Sequence, residues 1–189
     1  MRARLYCLTF LLLQALSADA AKLPPKIDEI PNACGYLTEE IARSVLGPEV
    51  RPFQSNEHIP VFYSQCEYKG TGPGRHSLRF VFKFMVKEMF DVDKLAPEQI
   101  DFNAGFAEGG QTFSEKLQYP GKLTYIFHDR DTTSVLVITG VDGPLDGAGQ
   151  PSALIFSYRL IDGDRTPEQR RDLLMKFAWR HLIDLAKSQ

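Results

Sequence analysis

The apolar positions of this chain recur with two different periods, and the switches between them mark its elements. In "HSLRFVFKFMVK" Leu78, Phe80, Phe82, Phe84 and Val86 alternate with Arg79, Val81, Lys83 and Met85. A period of two with one apolar face predicts an antiparallel strand lying on a core. The phenylalanines therefore read as core rather than as a ligand box. "VFYSQCEYK" (61–69) carries strand signals ahead of it, and "GTGPG" between the two is a turn by composition. Farther on, "KLTYIFHD" sets Leu123, Tyr125 and Phe127 against Thr124, Ile126 and His128. "TTSVLVITG" is apolar from Val135 to Ile138, as in a strand covered on both faces, and "SALIFSYRLI" alternates Leu154, Phe156, Tyr158 and Leu160. "HDRD" and "VDGPLDGAGQP" link these as hairpin turns.

The helical period appears at three places. Thr38 suits an N-cap, with Glu39 and Glu40 in a first turn where carboxylates favour the dipole; Ile41, Val45 and Leu46 share one face, and Gly47-Pro48 stops the helix. "APEQIDFNAGFAEGG" holds a helix over about Pro97 to Ala107. Thr166-Pro167-Glu168-Gln169 combines an N-cap, proline at the first helical position and a capping box. A long helix follows to about Lys187, with Leu174, Phe177, Ala178, His181 and Leu185 on one stripe. His181 reads as a core histidine with a hydrogen-bond partner. Trp179 lies at the stripe's edge, as a candidate partner contact, since tryptophan is enriched in binding hot spots. The order predicts a single α+β domain over residues 34–189, a sandwich whose mostly antiparallel sheet is covered by the C-terminal helix. Residues 21–33, with three prolines, read as an extended lead-in.

The first twenty residues change how everything else is read. Arg2 and Arg4 precede an apolar run from Leu5 to Leu16, and Ala18-Asp19-Ala20 supplies small residues at a cleavage point. That is the three-part pattern of a secretory signal peptide, cleaved after Ala20; the run is short of the ~20 apolar residues a spanning helix needs. The alternatives are an N-terminal anchor or a buried helix. No later run is apolar enough to cross a membrane. Removing Arg2, Arg4 and Asp19 takes away one net positive charge, so the chain's −2 becomes −3. That balance argues against a nucleic-acid partner, which needs clustered Lys and Arg. The expected location is periplasmic or secreted.

Export also sets the reading of the cysteines. Without Cys7, Cys34 and Cys66 remain, an even count in an oxidising compartment, and a disulfide between them is expected. Zinc wants four ligands in paired spacings, which these residues lack. A thiol nucleophile would need a lowered pKa and a base; Cys34 stands near a helix start, but pairing would remove its thiol.

The run Cys34-Gly-Tyr-Leu-Thr-Glu-Glu-Ile-Ala, then Leu46-Gly47, then Cys66-x-Tyr68 resembles small exported bacterial domains that open with C-x-L-L-T-x-x-E. These are LpqN-like and PsbP-like domains, found among actinobacterial lipoproteins and related envelope proteins. The resemblance covers about residues 34–68. It implies a PsbP-like α+β sandwich with joined cysteines and a mostly non-enzymatic role. Tyr36 replaces the first leucine, Ile41 shifts the glutamate register, and no lipobox is present.

Catalytic motifs are missing. Gly70-x-Gly72-x-Gly74 precedes a strand rather than a helix and holds Pro73, so it is a turn rather than a phosphate loop. "DVD" at Asp91–Asp93 and "DGD" at Asp162–Asp164 each supply too few oxygens for calcium. No metal and no cofactor is expected. The sequence points to a soluble exported binding or accessory protein of the bacterial envelope, non-enzymatic, with a protein partner or a small ligand. One alternative is a periplasmic immunity or inhibitor protein acting on a partner enzyme. Another is an enzyme with a site assembled from scattered residues, for which His128 with Asp129 or Asp131 is the first candidate.

Overall fold

The computed structural model describes residues 23–24, 26–74, 76–90 and 111–187. The expected signal peptide and its cleavage point lie outside these, as does the helix expected near Pro97–Ala107.

Two short helices open the described chain. Asn32 caps α1 (Ala33–Tyr36), its side chain accepting from the Cys34 N–H at 2.9 Å. Thr38 caps α2 (Glu39–Leu46) by accepting from the Ile41 N–H at 3.3 Å, as its sequence position suggests. Eight strands follow: β1 (Val50–Pro52), β2 (Glu57–Ile59), β3 (Tyr63–Gly70), β4 (Ser77–Val86), β5 (Thr112–Leu117), β6 (Leu123–His128), β7 (Thr132–Leu145) and β8 (Pro151–Ile161). A 3₁₀ turn, Lys87–Phe90, follows β4. Helix α3 (Pro167–Lys187) closes the fold, its capping box formed by Thr166 Oγ1 accepting from the Gln169 N–H while Gln169 Oε1 accepts from the Thr166 N–H.

The strands form one sheet in the order β1-β3-β4-β8-β7-β6-β5, with β2 also pairing with β3. Every strand pair is antiparallel. The expected antiparallel sheet under a C-terminal helix is there. The expected sandwich is not: a sandwich sets two sheets face to face, whereas here one open sheet carries its described helices on one face. Its two edges, β1 with β2 and β5, stay apart, so it is not a barrel.

The core on the helical face follows from the period of two. Leu78, Phe80 and Phe82 of β4, Leu154, Phe156 and Tyr158 of β8 and Val135 and Val137 of β7 meet Leu174, Ala178, Leu182 and Leu185 of α3 and Leu37, Ile41 and Val45 near the N-terminus. Each such large side chain contributes roughly 1.5–3 kcal/mol by leaving water. His181 is buried here as expected. Its Nδ1 meets the Tyr158 hydroxyl, and burial pushes its pKa down to about 4.

Several expectations need correction in extent. β7 runs on to Leu145 through irregularities near Asp142, so "VDGPL" is strand and the hairpin turn is Asp146–Gln150. Asp146 organises that turn, its Oδ1 accepting from the Ala148 and Gln150 N–H groups. Strands β1, β2 and β5 had no expected counterpart. Two are three-residue edge strands and the third, "TFSEKL", carries no apolar alternation to signal it.

The cysteines are paired. Cys34 of α1 and Cys66 of β3 form a disulfide with Cα atoms 5.1 Å apart, and Cys66 is buried. No described helix is long and apolar enough to cross a membrane.

Candidate functional site

The sheet face away from the helices is divided by chemistry. Toward β5, β6 and β7 it is apolar, with Leu123, Tyr125, Phe127, Leu136, Ile138 and Ile155 in a second buried cluster. Toward β1, β3, β4 and β8 it is basic. The registers bring Arg51 opposite Lys69, Glu67 opposite Arg79, and Arg79 opposite Arg159. Arg159 in turn stands opposite Ser134. Directly opposed residues share a face, so Glu67, Arg79, Arg159 and Ser134 form one row across four strands.

Hydrogen bonding along this row is incomplete. Arg79 Nε meets Glu67 Oε2 at 3.1 Å, and Glu67 is buried. Ser134 is fully buried and donates to Gln111 Oε1 at 2.8 Å. Arg159 Nε and the amide nitrogen of the buried Gln111 are both shielded from solvent without a hydrogen-bond partner. Buried donors without acceptors cost roughly 1–3 kcal/mol each. Two guanidinium groups facing each other across neighbouring strands add like-charge repulsion. Among the described residues of this part of the face, Glu67 is the carboxylate set against Arg51, Lys69, Arg79 and Arg159.

A groove of about 310 Å³ opens beside Glu67, lined by Arg51, Glu67, Lys69, His76 and Ser77 among others; Arg79 and Arg159 adjoin it in the row but do not line it. That lies at the low end of the range for small-ligand sites. The Lys69 ammonium lies 4.0 Å from the Phe53 ring centroid, which orients the charge without neutralising it. Strand pairing makes this arrangement rigid: Arg51, Lys69, Arg79 and Arg159 are all strand residues rather than loop residues.

At the groove's end His76 approaches two carboxylates, Nδ1 to Asp162 at 3.6 Å and Nε2 to Asp164 at 3.7 Å. These are the donors among the described residues that gather closely enough for a metal. Both oxygens of Asp162 are already engaged, one by Arg165 and the other by the Asp164 N–H at 2.9 Å. As expected from sequence, "DGD" acts as a turn.

His128 is half-buried at the end of β6, next to Thr133. Neither Asp129 nor Asp131 pairs with it. Asp129 accepts from the Arg130 N–H, and Asp131 accepts from the Thr132 hydroxyl. The partner of His128 Nδ1 is Thr133 Oγ1 at 3.0 Å, which also accepts from Arg170 Nε at 3.0 Å. That hydroxyl carries one hydrogen and two lone pairs, so the direction of its bond to Nδ1 follows the imidazole tautomer. Burial and then the Arg170 charge lower the His128 pKa. Arg170 itself is fully buried, yet no carboxylate among the described residues meets it. Its guanidinium donates to Thr133 and to the carbonyls of Asp162, Arg165, Asp129 and Arg130. It is a clasp between α3 and two turns. Nothing in the sequence distinguishes it from a surface arginine except its place on the apolar stripe, four residues before Leu174.

Trp179 is 48% exposed, as its edge position suggests, and its ring lies nearly parallel to Tyr119 at a centroid distance of 6.4 Å. The basic row was missed by sequence reading. Arg79 and Lys83 were placed on the polar face of β4, but the match of Arg79 to Arg159 depends on the β4–β8 pairing, which joins residues 80 apart. Comparison with family models, with curated proteins and with solved structures finds no match to the chain.

Proposed function

We propose that this chain is an exported binding protein for a small ligand bearing a carboxylate, phosphate or sulfate group, held on the Arg79–Arg159 row. The observation that carries this reading is the pair of opposed guanidinium groups beside two shielded donors, Arg159 Nε and Gln111 Nε2, that lack acceptors. An anion supplies acceptors to those donors and removes the repulsion between the arginines. Arginine suits this task because its planar fork binds oxyanions through two parallel bonds.

Export rests on the basic, apolar and small-residue pattern of residues 1–20 and on the disulfide, a bond that persists in oxidising compartments. The resemblance of residues 34–68 to exported PsbP-like domains agrees with an envelope protein that binds rather than catalyses. We assign no reaction.

The test is native mass spectrometry of protein isolated intact from the cells that export it. An adduct of an anionic small molecule on wild type, absent from Arg159→Gln, supports the reading. Protein that carries no anionic adduct, and takes up none when phosphate-, sulfate- and carboxylate-bearing metabolites are added, contradicts it.

A further inference from the structure

A second pair of like charges stands on the same sheet face as Arg79 and Arg159. Arg51 of β1 lies directly opposite Lys69 of β3, and Lys69 lies opposite Ser77, two residues before Arg79 on β4. Residues two apart on a strand share a face, so the Arg51–Lys69–Ser77 row runs beside the Glu67–Arg79–Arg159 row. Lys69 and Arg79 are diagonal neighbours across β3 and β4, about 7–8 Å apart. Arg51 is exposed and Lys69 half-buried, and neither is in an ion pair with a described residue. Both border open space. With Glu67 and Ser77 they line the groove of about 310 Å³, and with Phe53 they line a second one of about 500 Å³.

We infer that the ligand of this face carries two oxyanion groups, one on the Arg79–Arg159 pair and one on the Arg51–Lys69 pair, joined by an uncharged spacer bearing hydroxyl or N–H donors. This rests on the anion reading of the Arg79–Arg159 row. The charge balance calls for the second group. Glu67 is engaged by Arg79 at 3.1 Å, so an anion held on Arg79 and Arg159 alone leaves Arg51 and Lys69 facing each other without a counter-charge. Like charges directly opposite repel, as they do in the first pair. Glu67 sets the chemistry of the spacer. It is buried, it lines the groove between the two rows, and Arg79 takes one of its two oxygens. Its carboxylate repels any third anionic group placed between the pairs and accepts from a hydroxyl or an amide N–H. A uniformly charged polyanion therefore does not fit this face, whereas a hydroxylated bisphosphate or dicarboxylate does.

Calorimetric titration of the purified protein at fixed ionic strength tests this with two pairs of probes, fructose 6-phosphate against fructose 1,6-bisphosphate and gluconate against galactarate. In each pair the second compound adds an oxyanion group at the far end of a hydroxylated chain. The expected result is that the dianion of one pair binds at least about tenfold tighter than its monoanion, because the second group binds as a tethered one. Which pair shows the advantage tells a phosphate ester from a carboxylate ligand. The ratio within that pair should fall toward one in Arg51→Gln, an exposed edge-strand position, and in Arg51→Gln combined with Lys69→Gln. Arg159→Gln should weaken monoanion and dianion alike. Monoanions that bind through Arg159 with no dianion advantage in either pair overturn the second subsite and leave the first standing. So does an advantage that survives in the double variant. Wild type that binds none of the four compounds, nor inorganic phosphate, overturns the reading of the Arg79–Arg159 row and this inference with it.

Discussion

Arg79 on β4 and Arg159 on β8 stand directly opposite each other, on the sheet face away from the helices, with Glu67 as the only carboxylate in their row. Antiparallel neighbours place such side chains about 5 Å apart at Cβ, where like charges repel. A fold gains nothing from this arrangement by itself, and a bound anion would turn it into an advantage.

Arg159→Gln should therefore leave stability unchanged or raise it by roughly 0.2–1 kcal/mol in anion-poor, low-salt buffer. Urea unfolding at low and high ionic strength reads this out. The gain should shrink as salt screens the pair.

Arg170 behaves oppositely. Its buried guanidinium satisfies four backbone carbonyls and the Thr133 hydroxyl. Arg170→Ala strands these acceptors and should cost more than about 3 kcal/mol. Arg170→Lys should recover only part, since an ammonium cannot span two turns as a planar fork does. Urea midpoints of the three proteins give the comparison.

His181 sets an acid limit. Burial holds its folded pKa to about 4, with Asp184 raising and Arg180 lowering it more weakly, whereas an unfolded histidine titrates near ~6.5. Between those values the unfolded chain binds a proton that the folded chain does not. Stability thus falls as pH drops through that window, by up to about 3 kcal/mol. His128, lowered by burial and by Arg170, acts in the same direction. The slope of stability against pH from 7 to 4 should be distinctly flatter in His181→Gln.

Reducing the Cys34–Cys66 bridge releases a loop of 32 residues and should cost about 3–4 kcal/mol in the chain-entropy account. Thermal melts with and without a strong reductant measure it. Alkylation under non-reducing conditions should label neither cysteine.

The elements that sequence reveals are those with a local signature. β4 and β8 each keep one unbroken apolar face at a period of two, and α3 carries a complete capping box, so both periods and one boundary can be read without the fold. β1 and β2 are three residues long and gain their structure from β3, which supplies the partner hydrogen bonds; no window that short has a period. Whether the layers are one sheet or two depends on where strand order places the edges, and that is a long-range property. The candidate site is hidden for the same reason. Arg79 and Arg159 are ordinary polar-face residues until the β4–β8 register brings them together. Arg170 sits at a helical spacing that predicts burial, but its charge argues the other way until the carbonyls of two distant turns are in place. The cysteine pair was legible because it needs only a count and a compartment.

The most direct test of the central claim is a thermal-shift titration with inorganic phosphate and sulfate against chloride at matched ionic strength, on wild type, Arg79→Gln and Arg159→Gln. The account predicts a saturable rise in melting temperature for wild type with the oxyanions over chloride, lost in both variants. Equal melting curves in all three salts, or an oxyanion shift that survives in both variants, would contradict it.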